Sequence, residues 1–313
     1  MTYWPMMRNA FRYKLCARAA GVTIPSSTRV SMTRSTIAAA QTPAIRARTR
    51  ANLWASLLMV LALCASPGLR AEPFNLVIRS ELHGADSAMA FAPLAEYLSE
   101  ASGHQLSLHL PDSALAHWQA MGKRNDYHLI LDEGHFTDYR VQKLGYLVLA
   151  KVSGVSGFSV VTGPATVFVE PDELYGEPIA SPAPPSLAAL RLAELFPDPI
   201  RAPLLVEVGS YEEGIRRVIN GDVTAAVIPS RMVREHPQLN VVMSTQQGPG
   251  MALSASPAVP AEAREVIRRA FLASRDIDAG RRALASARVD GFEPASAALY
   301  DGYAKLLRGT WGY

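Results

Sequence analysis

The order strand, helix, strand, helix, strand that runs from Leu106 to Val152 occurs again from Leu204 to Thr245. This duplication constrains the fold more than any other feature of the chain. In the first copy the apolar run Gln105-Leu-Ser-Leu-His-Leu110 meets Pro111-Asp112 and a helical stretch that closes at Met121-Gly122. The run Tyr127-His-Leu-Ile-Leu131 follows, then a polar helix from His135 to Leu144, then Tyr146-Leu-Val-Leu-Ala-Lys-Val152. The second copy reads Leu204-Leu-Val-Glu-Val208, a helix Tyr211–Ile219, Val223–Ile228, a short helix at Arg231–Glu235, and Leu239–Thr245. Apolar runs of strand length alternating with amphipathic helices build parallel sheets covered by helices. Two such units predict two α/β lobes with a cleft between them, and a cleft is where a small ligand is held.

The first 71 residues do not belong to that pattern. Met1–Ala71 holds no Asp or Glu but ten basic residues, among them Arg46, Arg48 and Arg50 just before the apolar stretch Leu53–Ala65. A basic segment, an apolar core and a small exit residue make an export signal, with cleavage expected after Ala71. The apolar core falls short of the ~20 residues of a membrane span. Translation could start at Met32, and an Arg/Ser-rich, acid-free start also fits a mitochondrial-type presequence; the apolar core favours export. Both cysteines, Cys16 and Cys64, fall in this leader, so the mature chain has no thiol for a disulfide, a metal or nucleophilic attack. Bulky Leu63 before Cys64 argues against a lipid anchor there. The expected product is a soluble periplasmic protein.

Removing the leader reverses the charge. All 28 acidic residues and 21 of the 31 basic ones lie after Ala71, so the formal net charge becomes −7 instead of +3. An acidic chain does not present the basic surface that nucleic acid requires.

The mature chain opens with the strand Phe74–Ser80 and a helix at Ala90–Ala101 ended by Gly103; Pro178–Ala180 and the helix Leu187–Phe196 match them in the second half. Gly154–Gly157 with the strand Phe158–Val161 reads as a crossover between lobes, and Ser244-Thr245 as the return. The expected boundaries are 72–155 for the first part of lobe 1, 156–244 for lobe 2, and 245–313 for the return to lobe 1. That last segment carries helices at Ala261–Ser274, Ile277–Ala287 and Pro294–Leu307.

Ligands of open parallel sheets sit at the carboxyl ends of the strands. There the following helices offer free N–H groups and the positive end of their dipoles to an anion. The rule selects the loops Ser80–Asp86, Pro111–Ala114, Asp132–His135, Ser181–Ser186, Gly209–Tyr211 and Pro229–Arg231. Within them the candidate ligand contacts are Ser80, His83, Ser113, His135, Ser186, Ser210, Tyr211 and Arg231, with Tyr139 one helical turn beyond His135. Each has a plainer alternative. A serine at a helix start can be a cap, Tyr139 and Tyr211 can be packing aromatics, His83 can be a surface histidine, and Arg231 can be solvated. His135 and Arg231 would act as donors to an anion.

No pair of the seven histidines has the HxxxH spacing of a helical metal site, although His83, His109 and His135 could converge on the cleft. No metal or cofactor is expected. Gly154-Val-Ser-Gly157 is not a nucleophile elbow, and no GxxxxGK[ST] or GxGxxG loop occurs. Asp132 and Glu133 are adjacent, which does not pair them across a substrate. An enzyme is therefore not expected.

Four stretches carry a family likeness: Phe91-Ala-Pro-Leu-Ala-Glu-Tyr-Leu98 with Gly103, Gly145-Tyr146, Pro171-Asp-Glu-Leu-Tyr-Gly176, and Ile219-Asn-Gly-Asp-Val-Thr-Ala-Ala226. Through them Glu72–Leu307 resembles the type 2 periplasmic binding proteins, and within these the phosphate/phosphite/phosphonate-type substrate-binding proteins of ABC transporters. The resemblance implies an α/β fold of two lobes with two mainly parallel sheets and a C-terminal helical segment. It also implies an exported, monomeric solute-binding protein that closes by hinge motion on a small anionic or polar ligand, phosphate- or phosphonate-like oxyanions included, and serves a membrane permease. The alternatives are a sensor of the same fold that acts on a signalling receptor, or an enzyme using the cleft. The ligand-contacting runs depart from the family: the Ser-Thr-Ser of phosphonate binders is Pro184-Pro-Ser186 here, and their Ser-x-His is reduced to Ser210-Tyr211. Two prolines remove two N–H donors from that anion nest.

Overall fold

The computed structural model describes residues 73–313 apart from positions 124, 125, 169 and 311. The leader expected at Met1–Ala71, with its alternative start at Met32 and with Cys64, lies outside the described residues.

The first half runs β1 (Phe74–Ile78), α1 (Ser87–Ser102), β2 (Leu106–His109), α2 (Ala114–Met121), β3 (Leu129–Asp132), α3 (Gly134–Leu144) and β4 (Leu147–Val152). A short β5 (Val155–Ser156) leads to β6 (Phe158–Thr162), β7 (Pro178–Ser181), α4 (Leu187–Leu195), β8 (Leu204–Glu207), α5 (Tyr211–Asn220), β9 (Ala225–Pro229) and β10 (Asn240–Ser244). The chain then returns through β11 (Gly248–Pro249) and β12 (Ala252–Ala255) to α6 (Ala261–Leu272), α7 (Asp278–Ser286) and β13 (Phe292–Glu293). The last expected helix is instead two short 3-10 segments, Ala297–Tyr300 and Tyr303–Leu307. Gly302, with φ +87, breaks the run between them.

The duplicated halves occupy separate sheets with matching strand orders. One is β13-β4-β12-β3-β1-β2 and the other β10-β6-β9-β7-β8. In each, the opening strand (β1, β7) pairs in parallel with the two that follow it in its half. Each sheet is then completed by a strand arriving from a crossover: β12 lies antiparallel between β3 and β4, and β6 antiparallel between β9 and β10. The sheets are consequently mixed, because the chain crosses between the halves twice and both arriving strands run against the parallel set. The crossovers themselves pair as β5 and β11. They pass so close that a Cβ on Gly250 would come 2.5 Å from the Val152 carbonyl oxygen, which is why that position has no side chain.

Each sheet is sealed by helices whose apolar spacing is legible in the sequence. In α1, Phe91, Leu94 and Leu98 are fully buried against Leu76, Ile78 and the α6 residues Ile267 and Phe271. Gly103 ends α1 at φ +68, a left-handed C-cap. In α5, Tyr211, Ile215 and Val218 recur at helical spacing and pack on the second sheet with Ile179 and Val227. Burying each such side chain contributes roughly 1.5–3 kcal/mol. These cores hold rigid the strand ends that carry the cleft.

Candidate functional site

The loops after β1 and β3, from the first sheet, meet the loops after β7 and β9, from the second, across a cavity of about 400 Å³. Its walls combine Ser80, Glu81 and Glu133 from one side with Phe158, Leu187 and Tyr211 from the other, and the crossover strands line its base. A second cavity, about 570 Å³, opens on the far side of Ser80 and includes Asp112, Ser210 and Arg216. Between the two, the Tyr211 amide donates to the Glu81 carbonyl at 3.3 Å, joining the halves of the protein.

The inner end of the first cavity is acidic. Glu81 (2 % exposed) pairs with Arg79 at 2.8 Å. Glu133 (8 % exposed) is in no ion pair among the described residues; its Oε2 accepts the Leu187 amide, the first of α4, at 3.1 Å. Burial, and then the neighbouring Glu81 charge, push the Glu133 carboxyl well above its ordinary range. Tyr211 lies beside both carboxylates, and burial followed by their charges raises its phenol, which stays a neutral donor. Among the described residues its hydroxyl has no hydrogen-bond partner. At the opposite side stand the exposed Arg231, Arg234 and Arg288. Arg231 donates to the Arg288 carbonyl at 2.9 Å, and Arg288 pairs with Glu212 at 2.6 Å.

Glu133 is held in place by its neighbour in sequence. Asp132, fully buried, takes both Nη atoms of Arg140 at 2.5 and 2.6 Å and the His117 Nε2–H at 2.6 Å. Burial alone would raise the Asp132 carboxyl; the Arg140 charge and the hydrogen bonds from His117 and Arg140 hold it well below the ordinary range. Arg140 also donates to Ser254 of β12 at 2.9 Å, so the network ties α3, β3 and the returning strand together.

The sequence candidates divide into three groups. Ser80, Tyr211 and Arg231 line the first cavity. Ser210 lines the second and caps α5, accepting the Glu213 amide at 3.2 Å. Ser186 and His135 are fully buried beneath the cleft and line neither cavity. Ser186 caps α4 through the Ala189 amide and gives its own proton to the Pro182 carbonyl at 2.8 Å. His135, expected as an anion donor, instead gives its Nε2–H to the Pro185 carbonyl at 2.9 Å, bridging the halves. Burial lowers its pKa to about 4, so the ring carries no charge to offer.

Three candidates lie elsewhere. The His83 ring is edge-on to Phe91 and bonded to the Ala287 carbonyl at 3.0 Å. Ser113 caps α2 through the Ala116 amide at 3.0 Å. Tyr139 packs edge-on against Trp118, with ring centroids 4.7 Å apart. Each of these side chains is engaged by the protein and lines neither cavity. Among the described residues no cluster of metal-ligating side chains occurs, His83, His109 and His135 included, and no helix is long and apolar enough to cross a membrane.

Glu81, Glu133, Arg234 and Arg288 also line the first cavity and were not among the sequence candidates. Both glutamates sit in loops that the strand-end rule selects, and that position was the available signal. Arg288 comes from the end of α7, where nothing in the sequence marks a cleft residue.

Residues 80–300 match the family model for the phosphonate periplasmic substrate-binding protein of ABC transporters. No curated protein matches. Among solved structures, PhnD1 from Prochlorococcus marinus, in complex with methylphosphonate, aligns with a TM-score of 0.64 at 12% identity, over 76% of this chain and 98% of its own. A binding-protein component of a phosphonate ABC transporter from Pseudomonas aeruginosa aligns with 0.60 at 16% identity, over 75% and 84%. A Xanthomonas citri protein bound to ATP gives 0.60 at 12% identity, over 75% and 96%. At these identities the structural likeness speaks for the fold.

Proposed function

The chain belongs to the family of phosphonate periplasmic substrate-binding proteins of ABC transporters, and we propose that the cavity of about 400 Å³ between its sheets is where it holds its solute. The observation that carries this is Tyr211, a buried side chain whose hydroxyl points no hydrogen bond at the protein while lining a cavity that both halves wall. A phenol that lines the cavity and is not used by the protein has its proton free to donate. A solute is the natural acceptor.

The paired crossovers β5 and β11 line the same cavity and supply the hinge about which the halves close. The family binds its substrate rather than converting it, and the partner that fits this role is an ABC permease. The solute is small and polar. A phosphonate has precedent in the complex of the Prochlorococcus relative with methylphosphonate, and a larger phosphate ester in the ATP complex of the Xanthomonas relative. The acid-free leader with its apolar core supports export to the periplasm. N-terminal sequencing of periplasmic protein should find Glu72 or a residue close to it; full-length chain in the cytoplasm would overturn export.

A thermal-shift screen over phosphonates, sulfonates, phosphate esters and small organic acids tests the cavity. A true solute at 100 times its dissociation constant adds ~2.7 kcal/mol to the stability. Tyr211→Phe should weaken that solute by ~1 kcal/mol, the value of one hydrogen bond, and leave the unliganded protein at least as stable. A variant that binds unchanged would remove Tyr211, and with it this cavity, from the site.

A further inference from the structure

We infer that Glu133 is a specificity-determining residue, whose carboxylate fills the place at the start of α4 that a ligand oxyanion would take and excludes solutes that offer only an oxyanion. The inference rests on the cavity reading above.

Of the groups at that helix start, only Leu187 lines the cavity, and its amide is already taken. Pro184 and Pro185 have none to give. The Ser186 amide donates to the Ala183 carbonyl at 3.0 Å, the Ala189 amide to the Ser186 hydroxyl at 3.3 Å, and the Leu190 amide to the Ser186 carbonyl at 3.1 Å. The Leu187 amide opens on the cavity, and Glu133 takes it from the opposite half at 3.1 Å. The start of a nine-residue helix is favourable ground for negative charge. Here the protein fills that ground with an oxygen of its own carboxyl group.

The surroundings reinforce the exclusion. Glu81 lines the same inner wall, and Arg79 is already paired with it. A phosphonate or phosphate entering this end would meet two buried acidic side chains, and Arg79, the guanidinium beside them, is already paired with Glu81. The arginines that remain, Arg231, Arg234 and Arg288, line another part of the cavity. An oxyanion can therefore settle at α4 only by displacing Glu133, while a solute that brings hydrogen-bond donors to this end suits the site as it stands.

Two substitutions separate the effect of charge from that of filled space. Glu133→Gln keeps an oxygen that can accept the Leu187 amide but removes the charge; Glu133→Ala vacates the place altogether. Titration calorimetry of the full chain with methylphosphonate, and separately with inorganic phosphate, at pH 7.5 reads the outcome. Wild type should bind both weakly, Glu133→Ala at least tenfold more tightly, and Glu133→Gln in between. Thermal melts establish that each variant is folded, and should Glu133→Ala prove unfolded, the gain in Glu133→Gln alone decides. Wild-type affinity equal to or above that of the variants overturns the exclusion, as does a failure of every form to bind either anion. If tight wild-type binding is weakened by Tyr211→Phe, the cavity reading stands and only the role of Glu133 falls.

Discussion

Replacing Arg140 with methionine should cost the folded protein about 3–5 kcal/mol, the loss expected when one partner of a buried ion pair is removed. The methionine fills much of the same space, so the loss comes from charge. Asp132 is fully buried, and without Arg140 its negative charge keeps, among the described residues, the hydrogen bonds from His117 and Thr137. Asp132→Asn in the same background should recover part of the loss, because it removes the stranded charge. A double-mutant cycle by urea unfolding measures both terms. Near-additive losses, or a single-variant cost below about 1 kcal/mol, would show that the pair contributes no coupling. The result bears on function because the next residue after Asp132 is Glu133. Loosening the turn from β3 to α3 moves a wall of the cavity, so solute affinity should fall along with stability.

How much of this was legible in the sequence depends on what kind of signal each feature leaves. The strand and helix order was, because apolar spacing is a local property: Phe91, Leu94 and Leu98 reveal the buried face of α1 without knowledge of its partner. The family resemblance was legible through the same local stretches, and the match over residues 80–300 agrees with it. The insertion of β6 and β12 into opposite sheets was not, since nothing in Phe158–Thr162 or Ala252–Ala255 states which strands lie beside them. The strand-end rule selected several loops that line the first cavity, but not always the residue within them that faces it. At Asp132–His135 it led to His135, which faces the protein interior, while Glu133 two positions earlier faces the cavity. Helix geometry explains the difference. Gly134 begins α3, so Glu133 is its extended N-cap and projects outward, whereas His135 already lies on the helix and turns beneath it. Ser113, Ser186 and Ser210 show the opposite limit: a serine before a helix reads equally as cap or contact, and all three are caps.

Acid should weaken the protein through His135, by roughly 2 kcal/mol between pH 7 and pH 5. Burial lowers its pKa from 6.5 to about 4, so the folded protein refuses a proton that the unfolded chain accepts. The stability contributed by the neutral ring is fully present above pH 6.5. It is lost progressively as pH falls toward 4, at up to 1.36 kcal/mol per pH unit. His117, also lowered chiefly by burial, acts in the same sense. Glu133 acts in the opposite sense: its carboxyl is raised in the fold, so the folded state takes up its proton first and gains relative stability as pH falls toward 4.5. The slope for wild type is therefore a difference between opposing groups, and His135→Asn isolates one of them. Urea unfolding at pH 7, 6 and 5 should show the variant losing less on acidification than wild type, the gap closing by roughly 2 kcal/mol. A cost of substitution that stays the same at every pH would mean that His135 titrates alike in both states. Because His135 donates to the Pro185 carbonyl across the cleft, its protonation forces charge into the buried joint between the two halves. Acid should accordingly open the cleft before it unfolds either sheet, and amide exchange at pH 5 should rise first at the start of α4.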